Sequence, residues 1–297
     1  MTILVIGSEG FIGSNAVRYF IKKGDTVHCA DIVLKEEKNY IVINPEFPDF
    51  ARLFYNQKYD VCINASGAAN VQFSFSHAAM DFTLNVSNVF HMLEAIRQFN
   101  PTCKFINFSS ASVYGNPQAL PVSENAFIDP LSPYACHKFL SEKVCSEFYS
   151  YFKIPTISLR VFSTFGPGLK KQLFWDLYTK TKEASKIKLS GTGKESRDFI
   201  YITDLINAID LIIHNVRFSG SVINVANGDE IFINEAARIF YKNFNRNLKY
   251  KFSCISKIGY PANWKADISI LKSIGYKQDV SFEQGILKYI EWLRELE

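Results

Sequence analysis

Thr2-Ile3-Leu4-Val5-Ile6-Gly7-Ser8-Glu9-Gly10-Phe11-Ile12-Gly13, near the start of the chain, carries the strongest local signal of architecture. Ile3 to Ile6 is a short, β-branched, apolar run that reads as a strand buried on both faces. Three glycines at spacings of three follow it, and helical spacing begins at Ile12 and continues to Lys23. A strand, a glycine-rich turn and a helix start in that order form the setting for dinucleotide binding. Gly7 permits the tight turn, Gly10 lets backbone approach a pyrophosphate, and Gly13 lets helix and strand pack closely. The uncapped N–H groups around Phe11 and Ile12 face the phosphates. Without the strand before them, three glycines would read as ordinary turn punctuation.

Working outward, further strand-like runs occur at Thr26 to Ala30, Tyr40 to Ile43, Val61 to Asn64, Phe105 to Phe108 and Thr156 to Val161. Helical stretches at Ala78 to Phe99 and Pro133 to Phe152 fall between them. Such alternation predicts an α/β fold, a Rossmann-type doubly wound parallel sheet. About eight residues separate Asp31 from the strand at Tyr40, too few for a crossover helix, so a loop is expected there. Beyond Phe165-Gly166-Pro167-Gly168 the rhythm changes. A helix around Leu173 to Glu183, brief strands near Ile187 and Val222, and helices near Asp204 to His214 and Ile233 to Asn243 predict a smaller C-terminal α/β substrate lobe. The expected division is residues 1–162 for the dinucleotide and 163–297 for the second lobe, with about 200–226 packing back on the first. The tail from Phe282 to Leu296 places Ile286, Leu287, Ile290 and Leu293 on one docked helical face.

Composition narrows the function. The 297 residues are 47% hydrophobic, enough for a substantial core. Thirty-three Lys and Arg against 29 Asp and Glu give a scattered net charge of +4, which argues against a nucleic-acid binder. Six dispersed cysteines with no CxxC pair suggest free thiols in a reducing cytoplasm. Met1 runs directly into the first strand without signal-peptide character, and no apolar stretch has membrane-spanning length. His28, His77, His91, His137 and His214 lack metal-ligand spacing, and no nucleophile-elbow sequence supports hydrolysis, so no metal is expected.

Asp31, at the end of the second strand, can accept hydrogen bonds from adenosine ribose hydroxyls and would repel a 2′-phosphate. With Ile32 and Val33 following it, NAD is favoured over NADP. Ser109-Ser110-Ala111-Ser112-Val113-Tyr114-Gly115 lies past the fifth strand, and Tyr134-Ala135-Cys136-His137-Lys138 opens a long helix. Tyr134 and Lys138, four apart, share a helix face. An ammonium beside a phenol, together with a positive nicotinamide, favours phenolate. Tyr134 is then expected to take a hydroxyl proton while Ser110 holds that hydroxyl.

Taken together, GSEGFIG at Gly7, NASGAANV at Asn64, Asn85 with LEAIR at Leu93, SSASVYG at Ser109, SPYACHK at Ser132, LRVFSTFGPG at Leu159 and RDFIYITDL at Arg197 resemble the extended short-chain dehydrogenase/reductases, in their nucleotide-sugar epimerase and dehydratase branch. The resemblance covers nearly the whole chain. It implies that Ser110, Tyr134 and Lys138 are catalytic and that Lys138 also holds the nicotinamide ribose. It further implies that Ala65, Gly67 and Asn85 line the cofactor site. The second lobe would bind a nucleoside diphosphate sugar, with Arg197 on the diphosphate and with Ser112, Ser163, Gln172, Leu173 and Asn263 as further contacts. By the same analogy, the helices at 78–99 and 133–152 would pair across a two-fold axis in a homodimer.

Departures refine this. Dehydratases of the branch carry an acidic residue just after the active-site Ser or Thr, where this chain has Ala111 and Ser112; elimination of water needs such an acid. Ser163 stands in place of a frequent Asn, Lys257 in place of a second phosphate-binding Arg, and Ala69 in place of a lysine of some galactose epimerases. Trp264 reads as pocket or core equally. The expected activity is therefore NAD-dependent epimerisation of a nucleotide sugar at C4 through a transient 4-keto intermediate. The alternative is a 4-ketosugar reductase or sugar dehydrogenase with net redox turnover.

Overall fold

The computed structural model describes residues 1–183, 186–245, 248–255 and 259–297. Lys257 lies outside the described residues. The first half alternates as the sequence predicts: β1 (Thr2–Ile6), α1 (Phe11–Lys23), β2 (Thr26–Asp31), β3 (Tyr40–Val42), α2 (Ala51–Tyr55), β4 (Val61–Asn64), α3 (Val71–Ser76), α4 (Ala78–Phe82), α5 (Asn88–Phe99), β5 (Lys104–Ser110), α6 (Pro133–Phe152) and β6 (Thr156–Val161). A loop connects Asp31 to Tyr40. The stretch expected as one helix over 78–99 is interrupted by a π-helical turn, Thr83–Ser87.

The second half contributes β7 (Ser163–Phe165), α7 (Gln172–Glu183), β8 (Lys186–Leu189), β9 (Ser196–Arg197), β10 (Phe199–Tyr201), α8 (Ile202–Asn215), β11 (Ser221–Val225), β12 (Ile231–Phe232), α9 (Ile233–Phe244), β13 (Lys249–Phe252), α10 (Ser269–Ser273) and α11 (Phe282–Glu295). The central sheet has seven strands in the order β11-β6-β5-β4-β1-β2-β3, and every pairing is parallel. β11 thus returns late in the chain to extend the sheet beside β6, and α8 packs against α1. Three two-stranded sheets, β7 with β10, β8 with β13 and β9 with β12, carry the rest.

Two apolar clusters cover the sheet. One joins Ile3, Val5, Phe20 and Ile63 to the second half through Phe165, Phe199 and Tyr201, and the other places Leu4, Ile6, Phe54 and Phe105 against Met92, Leu93 and Phe148. In α11, Ile286, Ile290 and Leu293 are buried as expected, but Leu287 is 44% exposed and Tyr289 takes the inward position. Helical geometry explains the correction. The face of Ile286 and Ile290 continues through residues 289 and 293, and residue 287 falls about 100° away. Among the described residues, no helix is long and apolar enough to cross a membrane.

Candidate active site

A parallel sheet delivers all of its strand ends to one side, and that is where chain features collect. β1 leads into Gly7, β2 ends in Asp31, β4 leads into Ala65 to Gly67, and β5 ends in Ser110. At the first of these ends the backbone is crowded. Gly7 has a φ of +80°, and a Cβ there would lie 2.7 Å from the carbonyl of Ala65. A Cβ on Gly13 would lie 2.0 Å from the Gly7 carbonyl oxygen, so α1 rests directly on the turn. Gly10 differs, because its Cβ would meet nothing closer than that same oxygen at 3.2 Å and its φ is an ordinary −70°. A need for glycine at this position must come from whatever the turn faces. Gly10 is also the N-cap of α1, and no side chain caps the helix, which leaves the first-turn N–H groups around Phe11 and Ile12 available to an anion. Phe11 lies against Gly168 from the loop after β7.

The Asp31 carboxylate accepts hydrogen bonds from the backbone N–H of Glu9 at 2.9 Å and of Ile32 at 2.7 Å, tying the glycine turn to the end of β2. Beyond β4, Gly67 at φ +108° allows close approach by Asn85, whose side-chain oxygen would lie 2.7 Å from a Cβ there. Asn85 is 1% exposed and belongs to the π-helical turn. Neither its Oδ1 nor its Nδ2 has a partner among the described residues. An amide with both groups buried and unmet is costly unless a bound group completes it. A π-turn is a frequent device for aiming such a side chain at a site. The uncapped helix start, the Asp31 carboxylate and the unmet amide fit a dinucleotide that ends in a carboxamide ring.

Tyr134 and Lys138 stand at the start of α6, which is capped by Ser132 accepting from the Ala135 N–H. The Lys138 ammonium is nearly buried. It donates to the Phe108 carbonyl of β5 at 2.9 Å and lies 5.9 Å from the centre of the Tyr134 ring. Burial lowers the Lys138 pKa to about 8, against the opposing pull of Asp81. Burial likewise pushes the Tyr134 phenol up to about 12; hydrogen bonding with Ser110 opposes this rise, and the Asp81 charge adds to it. Among the chain's own groups desolvation thus opposes ionisation of the phenol, and the expected easing depends on the positive nicotinamide as well as on Lys138. The Ser110 hydroxyl also accepts from the Ser112 N–H at 3.1 Å, while the buried Ser112 Oγ has no partner among the described residues.

From the second half, Arg197 donates to the carbonyls of Ser196 (2.6 Å), Ala262 (3.0 Å) and Pro261 (3.0 Å) and lies over the Trp264 ring at 5.0 Å. Desolvation lowers its pKa to about 10. Asp198 is not its ion partner. That carboxylate instead accepts from the N–H groups of Asn227, Gly228 and Ala266, each at 3.0 Å. The Asn263 oxygen is held by the N–H and hydroxyl of Ser196. Trp264 is 8% exposed and donates to the Gly115 carbonyl at 3.2 Å, a packed position that carries Arg197. Ser163 is half-buried on β7, its N–H bonded to the Asp198 carbonyl. Gln172, at φ +64°, and Leu173 begin α7 and line a separate small crevice with Thr164, Lys171 and Tyr289. A larger hollow lined by Met1, Asp60, Lys104 and His214 lies at the opposite ends of β1, β4 and β5 and contains none of the residues named above as candidates.

Sequence reading missed two groups. Glu142, one turn past Lys138, accepts from Ser109 at 2.5 Å and pairs with Arg160 at 2.7 Å. Arg160 in turn donates to the Tyr114 hydroxyl, which donates to Asn224 of β11. A single charged residue, Arg160, inside β6 was the available signal, because a buried charge demands a partner. The second group is Asp81, 0% exposed, whose Oδ2 lies 2.6 Å from His137 Nδ1.

Fold and site together define a dinucleotide-dependent enzyme of the Rossmann-type class. The chain belongs to the NAD dependent epimerase/dehydratase family, whose model matches residues 3–226. Among curated proteins it is similar to the uncharacterized UDP-glucose epimerase YtcB of Bacillus subtilis, with 29% identity over 100% of this chain and 99% of that protein. Among solved structures it is similar to the UDP-glucuronic acid 4-epimerase of Bacillus cereus in complex with UDP-glucuronic acid and NAD. That likeness has 26% identity, a TM-score of 0.90 and full coverage of both chains. The UDP-N-acetylglucosamine 4-epimerase of Methanobrevibacter ruminantium M1, at 24% identity and a TM-score of 0.88 over 100% of this chain and 99% of that one, shares the fold.

Proposed function

We propose that this chain is an NAD-dependent epimerase that inverts C4 of a nucleoside diphosphate sugar, with Tyr134 as the proton acceptor. The carrying observation is the convergence of Ser110, Tyr134 and Lys138 at the end of β5, in a sheet whose β1 leads into the glycine turn at the same side. The likeness to 4-epimerases over the full chain supports the same reading. NAD, when bound, supplies reversible acceptance of hydride from C4. Gly7, Gly10 and Gly13, with the N–H groups around Phe11 and Ile12, would hold its pyrophosphate; Asp31 would hold the adenosine ribose, and Ala65, Gly67 and Asn85 would line the nicotinamide side.

Ser110 orients the C4 hydroxyl toward Tyr134, which takes its proton as the 4-keto form appears and returns it after the sugar has turned over. Lys138, fixed by the Phe108 carbonyl, places its charge beside the phenol and within reach of the ribose. Because Lys138 ionises near 8, it is mostly ammonium at neutral pH and loses that charge as pH rises through 8. Ser112, with its unmet hydroxyl, is the further donor on the β5 side. Ala111 offers no acid for expelling water, so dehydration is disfavoured.

On this reading, residues 1–162, together with 200–226, form the cofactor half and the remainder the sugar-nucleotide half. Arg197 would release part of its hold on the carbonyls of 196, 261 and 262 to grip the diphosphate, with Ser163, Gln172 and Leu173 as further contacts. Asn263 would shape the pocket through Ser196. The free cysteines suit a reducing cytoplasm. The test is to incubate the purified protein with UDP-glucose, UDP-N-acetylglucosamine and UDP-glucuronate separately. One of them should yield its C4 epimer without net change in nicotinamide absorbance. Stoichiometric oxidation or reduction of added nicotinamide would instead identify a dehydrogenase or reductase.

A homodimer is part of the proposal. Phe90 on α5 and Leu140 and Phe152 on α6 are 41%, 36% and 46% exposed on two helices that pack together. Burying that face against a second copy would complete a four-helix interface. Sedimentation should report a dimer at micromolar concentration, and Leu140→Glu should yield a monomer of unchanged secondary structure.

A further inference from the structure

We propose that Asp81 and His137 form a positioning pair for Tyr134 and Lys138, setting the negative charge against which the phenol gives up its proton. Asp81, on α4, has no exposed surface. Its Oδ2 meets His137 Nδ1 at 2.6 Å, and its Oδ1 has no partner among the described residues. His137 follows Tyr134 by three residues on α6 and immediately precedes Lys138, and its ring is wedged edge-on against Phe82 at 5.3 Å. A buried carboxylate is expensive unless it serves a neighbouring charge. Here the neighbouring cation is Lys138, and the Asp81 charge acts at both members of the dyad, raising the pKa of each.

The other buried charges near the dyad, Glu142 one turn past Lys138 and Arg160 of β6, are paired with each other at 2.7 Å. The π-turn 83–87 and α3 carry no ionisable group. β5 presents the Phe108 carbonyl to Lys138. On α5, which also packs on α6, Glu94 and Arg97 pair with each other on the exposed side, and His91 is exposed. Asp81 therefore holds Lys138 as ammonium and delays ionisation of Tyr134, and removing its charge eases proton loss from both. The coupled dyad should then titrate at lower pH as a unit.

The inference rests on Tyr134 being the proton acceptor, and the experiment separates the two. Asp81→Asn keeps the shape and the capacity to accept from His137 while removing the charge. Should it fail to fold by circular dichroism, Asp81→Ser serves the same purpose. In NAD-loaded protein, Tyr134 ionisation is followed by tyrosinate absorbance, taken as the difference from Tyr134→Phe, and kcat is measured against pH with whichever nucleotide sugar turns over. Asp81→Asn should move both curves to lower pH by about one unit. His137→Gln can still donate to Asp81 and leaves the charge in place, so its curves should remain where they are or move upward.

A changed rate with both Asp81→Asn curves unmoved would mark the pair as structural and overturn the inference, as would a downward shift in His137→Gln equal to that of Asp81→Asn. If Tyr134→Phe itself retains turnover, the assignment of the proton acceptor fails instead.

Discussion

Tyr134→Phe should lower kcat by about a thousand-fold, within the range that loss of a positioned acid–base group produces. Binding of NAD and the melting temperature should change little. The argument is geometric. The phenol oxygen interacts with Ser110, and the aromatic body of the side chain, half-buried at the start of α6, is retained by phenylalanine. Ser112 keeps its own N–H bond to Ser110, so the β5 end stays in place without the phenol. Single-turnover measurement of sugar epimer, alongside a thermal melt, checks this. Turnover within ten-fold of wild type would remove Tyr134 from the chemistry.

Gly13→Ala should have the second large effect: loss of copurifying NAD together with a fall in stability of about 3 kcal/mol, the upper part of the overpacking range. The added methyl would be placed 2.0 Å from the Gly7 oxygen and 2.8 Å from its carbonyl carbon. Both are backbone atoms, so no side-chain rotation relieves the overlap, and α1 must move off the turn that its N–H groups serve. Gly10→Ala is the informative contrast. Its methyl meets only the Gly7 oxygen, at 3.2 Å, so the melting temperature should stay near wild type while NAD affinity falls. Calorimetric titration with NAD and thermal melting of both variants distinguish helix displacement from obstruction of the pyrophosphate.

Much of this could be read from the chain. The apolar runs of β1, β4 and β5 admit no polar face, so a parallel sheet covered on both sides was the natural solution, and the glycine turn located its working edge. Gly7, Asp31, Ser110, Tyr134 and Lys138 could be proposed from the sequence because strand ends and helix starts fix such positions locally, whereas Asn85, in a π-turn, was named only through the family resemblance. Contacts made across the fold were harder to read. The Asp81 and His137 pair joins residues 56 apart, and each alone looks like a solvated side chain on a helix. Arg197 was found, but its present partners, the carbonyls of residues 196, 261 and 262, depend on how a late loop returns to β9, which no spacing encodes. The burial that opposes ionisation of Tyr134 was hard to read for a similar reason. Proximity of charges can be inferred from a four-residue spacing, whereas the depth of burial that outweighs it is a property of the assembled molecule.

The return of β11 to the edge of the sheet bears on biosynthesis. Until residues 221–225 have left the ribosome, β6 has no neighbour on its outer side, and the hydrogen-bond chain from Arg160 through Tyr114 lacks its terminus at Asn224. A nascent chain or a fragment ending near residue 162 would display a sticky apolar ribbon, inviting aggregation or chaperone capture. Cooperative closure must therefore wait for about three quarters of the polypeptide.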